Sequence, residues 1–274
     1  MQSTTLLLLV ASLAGAQTNT NLQTVFPTAT KTTALSAAKT IAAGQTFDGQ
    51  MLQWDRSPST CNGQSEGGEK DALFILEDGA TLSNVIVGPN NGEGIYCKGT
   101  CTLNNMLVSP RVPLPSISTI FIYWRILTNN NSWWTDVCED AATFFQKSGT
   151  SYVNGGGARN ADDKVFQHNG GGTVKVKNFF ASNIGKLYRS CGNCKTQYQR
   201  HSTFENIRVV DKASVVAGVN VNYGDTTQIN NSCVLKGGLC WLYEGNSSGK
   251  EPTKVGSGPS GTACATQAVQ TSGC

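Results

Sequence analysis

The chain has 274 residues, 14% of them charged, with 30 glycines and a formal net charge of +3. That balance is too weak for a nucleic-acid binder, the 39% hydrophobic content argues against disorder, and so few charges with so many glycines argue against a helical bundle. Val, Ile and Thr scattered between glycine-rich turns fit an all-β protein.

In chain order, the first element is a secretory signal. Leu6 to Val10 form an apolar run that continues through Ala11 to Gly15, and Ala14-Gly15-Ala16 offers a small-residue cleavage site. The mature chain is expected to begin at Gln17, secreted and extracellular. No later apolar run is long enough to span a bilayer. Neither nucleic acid nor membrane is expected as a partner, and a monomer is expected. The cysteines stand at 61, 97, 101, 138, 191, 194, 233, 240, 264 and 274. An even number in a secreted chain implies a disulfide framework. Cys97/Cys101 and Cys191/Cys194 are each spaced to close a tight loop, and the remaining connectivity stays open.

From residue 81 onward a Thr, an alternating apolar pair and an Asn recur, at Thr81–Asn84, Thr102–Asn105, Thr150–Asn154, Thr173–Asn178, Thr203–Asn206 and Thr227–Asn230. Alternation predicts strands, and the glycine clusters before them predict turns. One strand set per twenty-odd residues with no helical stretch between is the pattern of a parallel β-helix, whose coils bury their faces on one another.

The step from Asn105 to Asn154 is about double every other step in that asparagine series. Inside it, residues 107–132 contain no Gly, Lys, Asp, Glu or Cys. Removing 107–132 restores the period. The stretch is therefore expected to be foreign to the fold, specifically a retained intron translated in frame. With TTA at Leu107, the bases from the end of the Met106 codon read GTTAGT; an AGN codon at Ser132 ends the stretch in AG; CTA-AC at Leu127-Thr128 resembles a branch point. A genuine loop insertion is the alternative, unusual at that length in a compact domain.

Two charged constellations follow from the period. Glu93, Asp136, Glu139 and Asp140 fall near the ends of successive coils, since Glu93 and Glu139 are one coil apart once 107–132 is removed. Stacked carboxylates repel unless a cation neutralises them, and hard oxygen ligands favour Ca²⁺. A solvated acidic face fits the spacing equally. Lys164 follows Asp162-Asp163, and Lys186 and Arg189 again stand one coil on. Basic groups beside carboxylates suit an anionic sugar bridged by Ca²⁺, although a lone Lys or Arg is more commonly a surface cation. His168 and His201 are the only histidines; with no Gly-x-Ser-x-Gly elbow, His168 is expected to make a structural hydrogen bond.

Longer blocks carry a resemblance. Phe47–Gly49, Trp54–Pro58, Gly68–Ala80, Trp133–Ala142, Ala161–Gly170, Ile184–Cys194, Asn222–Asp225 and Tyr243–Asn246 resemble the fungal and oomycete pectate lyases of polysaccharide lyase family 3. The joined run Asn105-Met106-Trp133-Trp134 resembles the unbroken run of that family. With the signal peptide at 1–16 and a linker at 17–35, the resemblance implies a single right-handed parallel β-helix domain at 36–274. It also implies Ca²⁺-dependent cleavage of polygalacturonate, the pectin of plant cell walls, by β-elimination. Carried over by position, it implies Glu93, Glu139 and Asp140 as calcium ligands with Asp136 assisting. Lys164, Lys186 and Arg189 are implied as catalytic and substrate-binding groups, with Glu66 near the site. Where the family has a further Lys after the Glu-Asp-Ala-Ala-Thr segment, this chain has Phe144-Phe145, and Lys147 is displaced.

The chemistry matches these residue types. Ca²⁺ on the C6 carboxylate stabilises the enolate formed when C5 loses its proton. Lys164 is expected as the base, kept neutral by Ca²⁺ and Arg189; Arg189 holds substrate and Lys186 binds a substrate carboxylate, with base and binder open to exchange. Two alternatives stand beside this reading. One is an inverting pectin hydrolase using Asp162-Asp163 with His168. The other is a catalytically impaired wall-binding protein, should 107–132 be a real insert.

Overall fold

The computed structural model describes residues 22–104 and 133–274. The signal segment expected at 1–16 and the insertion expected at 107–132 lie outside these residues. Strands stack in parallel, each pairing with the strand one coil before and one coil after, to build a parallel β-helix. The exception is the antiparallel pair Gly238–Glu244 and Thr253–Gly258 near the C-terminal end.

Each coil contributes to three rows of strands. The row that carries the site runs Lys39–Ile41, Ala72–Leu76, Glu93–Cys97, Asp140–Phe144, Gly157–His168, Phe180–Ser190, Val215–Asn220 and Gly238–Glu244. Alternation places every second side chain inward, and register stacks like positions. Phe74, Ile95, Ala142, Phe166, Tyr188, Ala217 and Cys240 therefore form one continuous buried file. Leu82, Leu103, Val153, Val176, Phe204 and Ile229 form the facing file. Large and small residues mix along the first file, which lets neighbouring layers interdigitate.

Register shows that the long step is a single coil. Ala72 pairs with Glu93, Asp140 with Lys164 and Lys164 with Lys186, each one coil on from the last. Glu93 pairs just as directly with Asp140, although 107–132 lies between them in sequence. The asparagine row is less regular than the repeat predicts. Asn178 and Asn206 stack, with a 2.7 Å bond between their amides, but Asn154 stands opposite Asn104 rather than Asn105, and Asn230 opposite Glu205. Asn84, Asn178, Asn206 and Asn231 adopt left-handed backbone, a conformation asparagine tolerates better than other side-chain-bearing residues.

The helix also begins earlier than expected. Thr32–Leu35, assigned by sequence to the linker, is a strand paired with Thr46–Arg56, and Phe26 packs 4.7 Å from the Trp133 ring. The ten cysteines form five disulfides: 61–138, 97–101, 191–194, 233–274 and 240–264. Both tight loops anticipated from spacing are among them. Among the described residues, no helix is long and apolar enough to cross a membrane.

Candidate active site

The register that builds the helix also builds the site. Glu93, Asp140, Lys164 and Lys186 occupy one aligned position on four successive coils. Adjacent strands lie about 4.8 Å apart, so two acids and two bases are forced into one cluster. Glu139 precedes Asp140, and Asp163 precedes Lys164.

Glu66 joins from a different direction. It sits in the loop before Ala72–Leu76, and the Cys61–Cys138 disulfide ties that loop to the turn carrying Glu139. Gln64 Nε2 donates to Cys138 O at 2.5 Å, and the Gly67 N–H donates to Glu93 Oε1 at 3.0 Å. Carboxylate oxygens of Glu66, Glu93 and Glu139 converge to within 4.8 Å of one another. Glu93 and Glu139 are buried, whereas Glu66 is exposed.

The electrostatics are strained by this convergence. Burial, with Glu139 beside it, pushes Glu93 up to about 8 against the pull of the Gly67 N–H. Burial likewise pushes Asp140 well above the carboxylate range; Lys164 opposes this and Glu139 adds to it. Two buried oxygens, Glu139 Oε2 and Asp140 Oδ1, accept no hydrogen bond. Buried carboxylate oxygens without donors are costly, and a cation satisfies them. An all-carboxylate oxygen donor set fits a hard divalent ion, so the residues present suit the metal that the sequence implies.

Lys164 lies at the hub. Its Nζ donates to Glu139 Oε1 at 2.9 Å and Asp163 Oδ2 at 2.6 Å, and stands 3.5 Å from Asp140 and 3.8 Å from Glu66. Burial would lower its pKa, but Asp140, Glu139 and Asp163 together push it above the ordinary lysine value. With the carboxylates ion-free these acids favour its charged form; the neutral Lys164 expected from sequence belongs to the ion-bound site. Asp163 also accepts from Lys186, and although burial would raise it, the two lysines hold it below the usual carboxylate range.

Arg189 is one coil on from Gln167 and buried at 8% exposure. Glu66, Asp163, Lys164, Lys186, Arg189 and Tyr243 line a polar cleft of about 150 Å³. The cleft is lined by both cations and acids, the groups that recognition of an anionic chain through a bound cation calls for.

The site brings together all but one of the residues expected from sequence. Asp136 is exposed and stands outside the converging trio. Glu66 stands within it, although sequence placed it only near the substrate. Asp163 and Tyr243 were missed as site residues. Asp163 was legible from its place beside Lys164, whereas Tyr243 reaches the cleft from two coils beyond the Lys186 coil. Phe144 is core, and Phe145 packs on Tyr96 with ring centroids 4.9 Å apart. The hydrolytic alternative is not assembled: Asp162 is exposed, Asp163 is engaged by two lysines, and His168 is fully buried away from the cleft.

Comparison with known proteins agrees. A family model described as pectate lyase matches residues 23–109 and 124–250. A probable pectate lyase D of Emericella nidulans is 43% identical over 227 residues, covering 82% of this chain and 76% of the relative. The crystal structure of the catalytic domain of pectate lyase PelI from Erwinia chrysanthemi superposes with a TM-score of 0.65 at 28% identity, covering 88% of this chain and 97% of that one. PelI in complex with tetragalacturonic acid matches with a TM-score of 0.61 at 28% identity, covering 87% of this chain and 68% of that one.

Proposed function

We propose, on the premise that the chain belongs to the pectate lyase family, that it is a secreted, Ca²⁺-dependent lyase cleaving polygalacturonate by β-elimination to 4,5-unsaturated oligogalacturonides. The observation that carries this reading is the convergence of Glu66, Glu93 and Glu139 beside a cation-lined cleft. The tetragalacturonic acid complex of PelI supports the substrate class.

Glu66, Glu93 and Glu139 would hold the ion, with Asp140 alongside. Bound there, Ca²⁺ supplies a Lewis acid for the substrate carboxylate and the positive charge that these acids otherwise draw from Lys164. Lys164, as the neutral amine, takes the C5 proton; the C5 electron pair forms the C4–C5 double bond as the C4–O4 bond breaks, and the departing O4 takes a proton from water. Lys186, steered by Asp163, binds a substrate carboxylate. Arg189 faces the developing negative charge, where a preformed donor in a partly dry cleft is most effective. Five disulfides and the 1–16 signal reading support secretion.

Residues 107–132 are further proposed to be dispensable, a retained intron or a non-native insertion. The family match passes over 110–123, and the coil pairing of Glu93 with Asp140 closes without needing them.

The test uses two chains, 17–274 and the same without 107–132, assayed by ultraviolet absorbance of unsaturated uronide on polygalacturonate with Ca²⁺ and with chelator. Absorbance that chelator abolishes is the expected result, strongest in the shortened chain. New reducing ends without absorbance would replace the lyase with a hydrolase. Equal activity and melting temperature of the two chains would make the insert a tolerated loop.

A further inference from the structure

Three cations line the cleft, and they are held in two different ways. Lys164 and Lys186 share the carboxylate of Asp163. Arg189 makes no ion pair among the described residues, although it is the more permanent charge and is almost wholly buried. Its Nη1 donates to two neutral oxygens, Ser190 O at 2.7 Å and Asn220 Oδ1 at 3.1 Å. The guanidinium lies over the Tyr243 ring, 3.9 Å from its centroid. Two glycines leave room for it: a Cβ at Gly192 would collide with Arg189 Nη2, and one at Gly218 would stand 2.8 Å from Cδ.

Asn220 is fully buried and has no freedom to turn away. Its Nδ2 donates to Cys191 O at 3.0 Å, and its backbone N–H donates to Asp225 Oδ2 at 3.0 Å. Asp225 also accepts from the Arg200 N–H, at 2.9 Å. Asn220 therefore links Arg189 to a buried carboxylate only indirectly: its backbone N–H donates to Asp225, while its neutral side-chain oxygen accepts from Arg189. Glu251 lines the same cleft, and it and Asp225 act on Arg189 through space, but neither makes an ion pair with it.

We infer that Asn220 and Tyr243 are positioning residues that aim Arg189 into the cleft while leaving its charge unneutralised. The inference rests on the proposed lyase reaction. An arginine paired with a carboxylate offers little net field to a second anion; one held by an amide and a ring face offers its whole charge to the substrate. The ring also stiffens the guanidinium plane at small cost in polarity.

The experiment compares the parent with Asn220→Asp, Asn220→Ala, Tyr243→Phe and Tyr243→Leu on polygalacturonate, recording kcat, KM and Tm. Asn220→Asp keeps the shape and puts a carboxylate on Arg189; kcat is expected to fall roughly 100-fold, further than in Asn220→Ala, with a Tm no lower than that of Asn220→Ala. A purely structural role predicts the opposite order. Tyr243→Phe keeps the ring and is expected to lose less kcat than Tyr243→Leu, which loses roughly tenfold. If Asn220→Asp does not fold, the Tyr243 pair decides, and equal kcat for Phe and Leu overturns the inference. An inactive parent overturns the lyase reading and this inference together. An active parent whose Asn220→Asp form keeps kcat within about threefold overturns this inference alone.

Discussion

The strand Gly157–His168 carries two buried polar clusters, at Lys164 and His168 four residues apart along it, and they are built in opposite ways. Around His168 every side-chain donor and acceptor is matched. Nε2–H donates to Gly171 O at 3.1 Å, and Nδ1 accepts from the Tyr188 hydroxyl at 2.8 Å. Arg200 donates to Gly170 O, Cys191 O, Gln197 Oε1 and Asn169 O. Around Lys164, oxygens of Glu139, Asp140 and Gln167 are left without donors. Burial of charge is common to both; completion of hydrogen bonds is not. The satisfied cluster fastens the coils, and the unsatisfied one is the site proposed to take an ion and a substrate.

The comparison breaks first at Lys164. Lys164→Ala is expected to lower kcat about 10³-fold while calorimetry still detects Ca²⁺ binding; near-normal turnover would remove Lys164 from the chemistry. The second test is at His168. Burial, then the charge of Arg200, lowers its folded pKa from 6.5 to about 3. Between these values only the unfolded chain takes up the proton, so stability falls as pH drops from 6.5 toward 3, by on the order of 4 kcal/mol. Urea titrations at several pH values read this slope, and His168→Gln should flatten it; a variant as acid-sensitive as the parent would show that other groups are responsible.

A smaller effect separates the disulfides. Cys61–Cys138 spans a sequence separation of 77 and aligns Glu66 with Glu139, whereas Cys97–Cys101 spans only 4. Replacing the first pair by serine should cost about 3 kcal/mol and weaken Ca²⁺ binding; replacing the second should cost less and leave Ca²⁺ binding unchanged. Equal Ca²⁺ affinity in both would detach the disulfide from the site. A last test is the pH response of the ion-free protein. Glu93 is raised in the fold from 4.5 to about 8, so the folded state holds the extra proton between those values. Above about 6.5, where His168 no longer opposes it, ion-free protein should lose stability as pH rises toward about 8, and added Ca²⁺ should reverse the loss. Melting curves in chelator that are flat or rising across this range would contradict this.

Much of this was legible before any coordinates. The spacing of Glu93, Asp140, Lys164 and Lys186 follows from a coil of nearly fixed length, because parallel strands in register must stack residues one period apart. The same arithmetic makes 107–132 longer than the repeat needs, the basis of the proposal that it is an insertion. The asparagine row was read one residue off in places because Asn104/Asn105 and Asn230/Asn231 are doublets, and spacing does not choose between neighbours.

What the sequence determined by itself was therefore whatever repeats: the β-helix, its period, the charged row on one face and the two short disulfides. The tertiary structure decided whatever arrives from outside the repeat. The loop holding Glu66 is aimed by a disulfide between cysteines far apart in sequence, and Tyr243 and Asn220 reach Arg189 from later coils. It also decided which acids surround Lys164, because its burial among four carboxylates is set by distances that no linear spacing encodes.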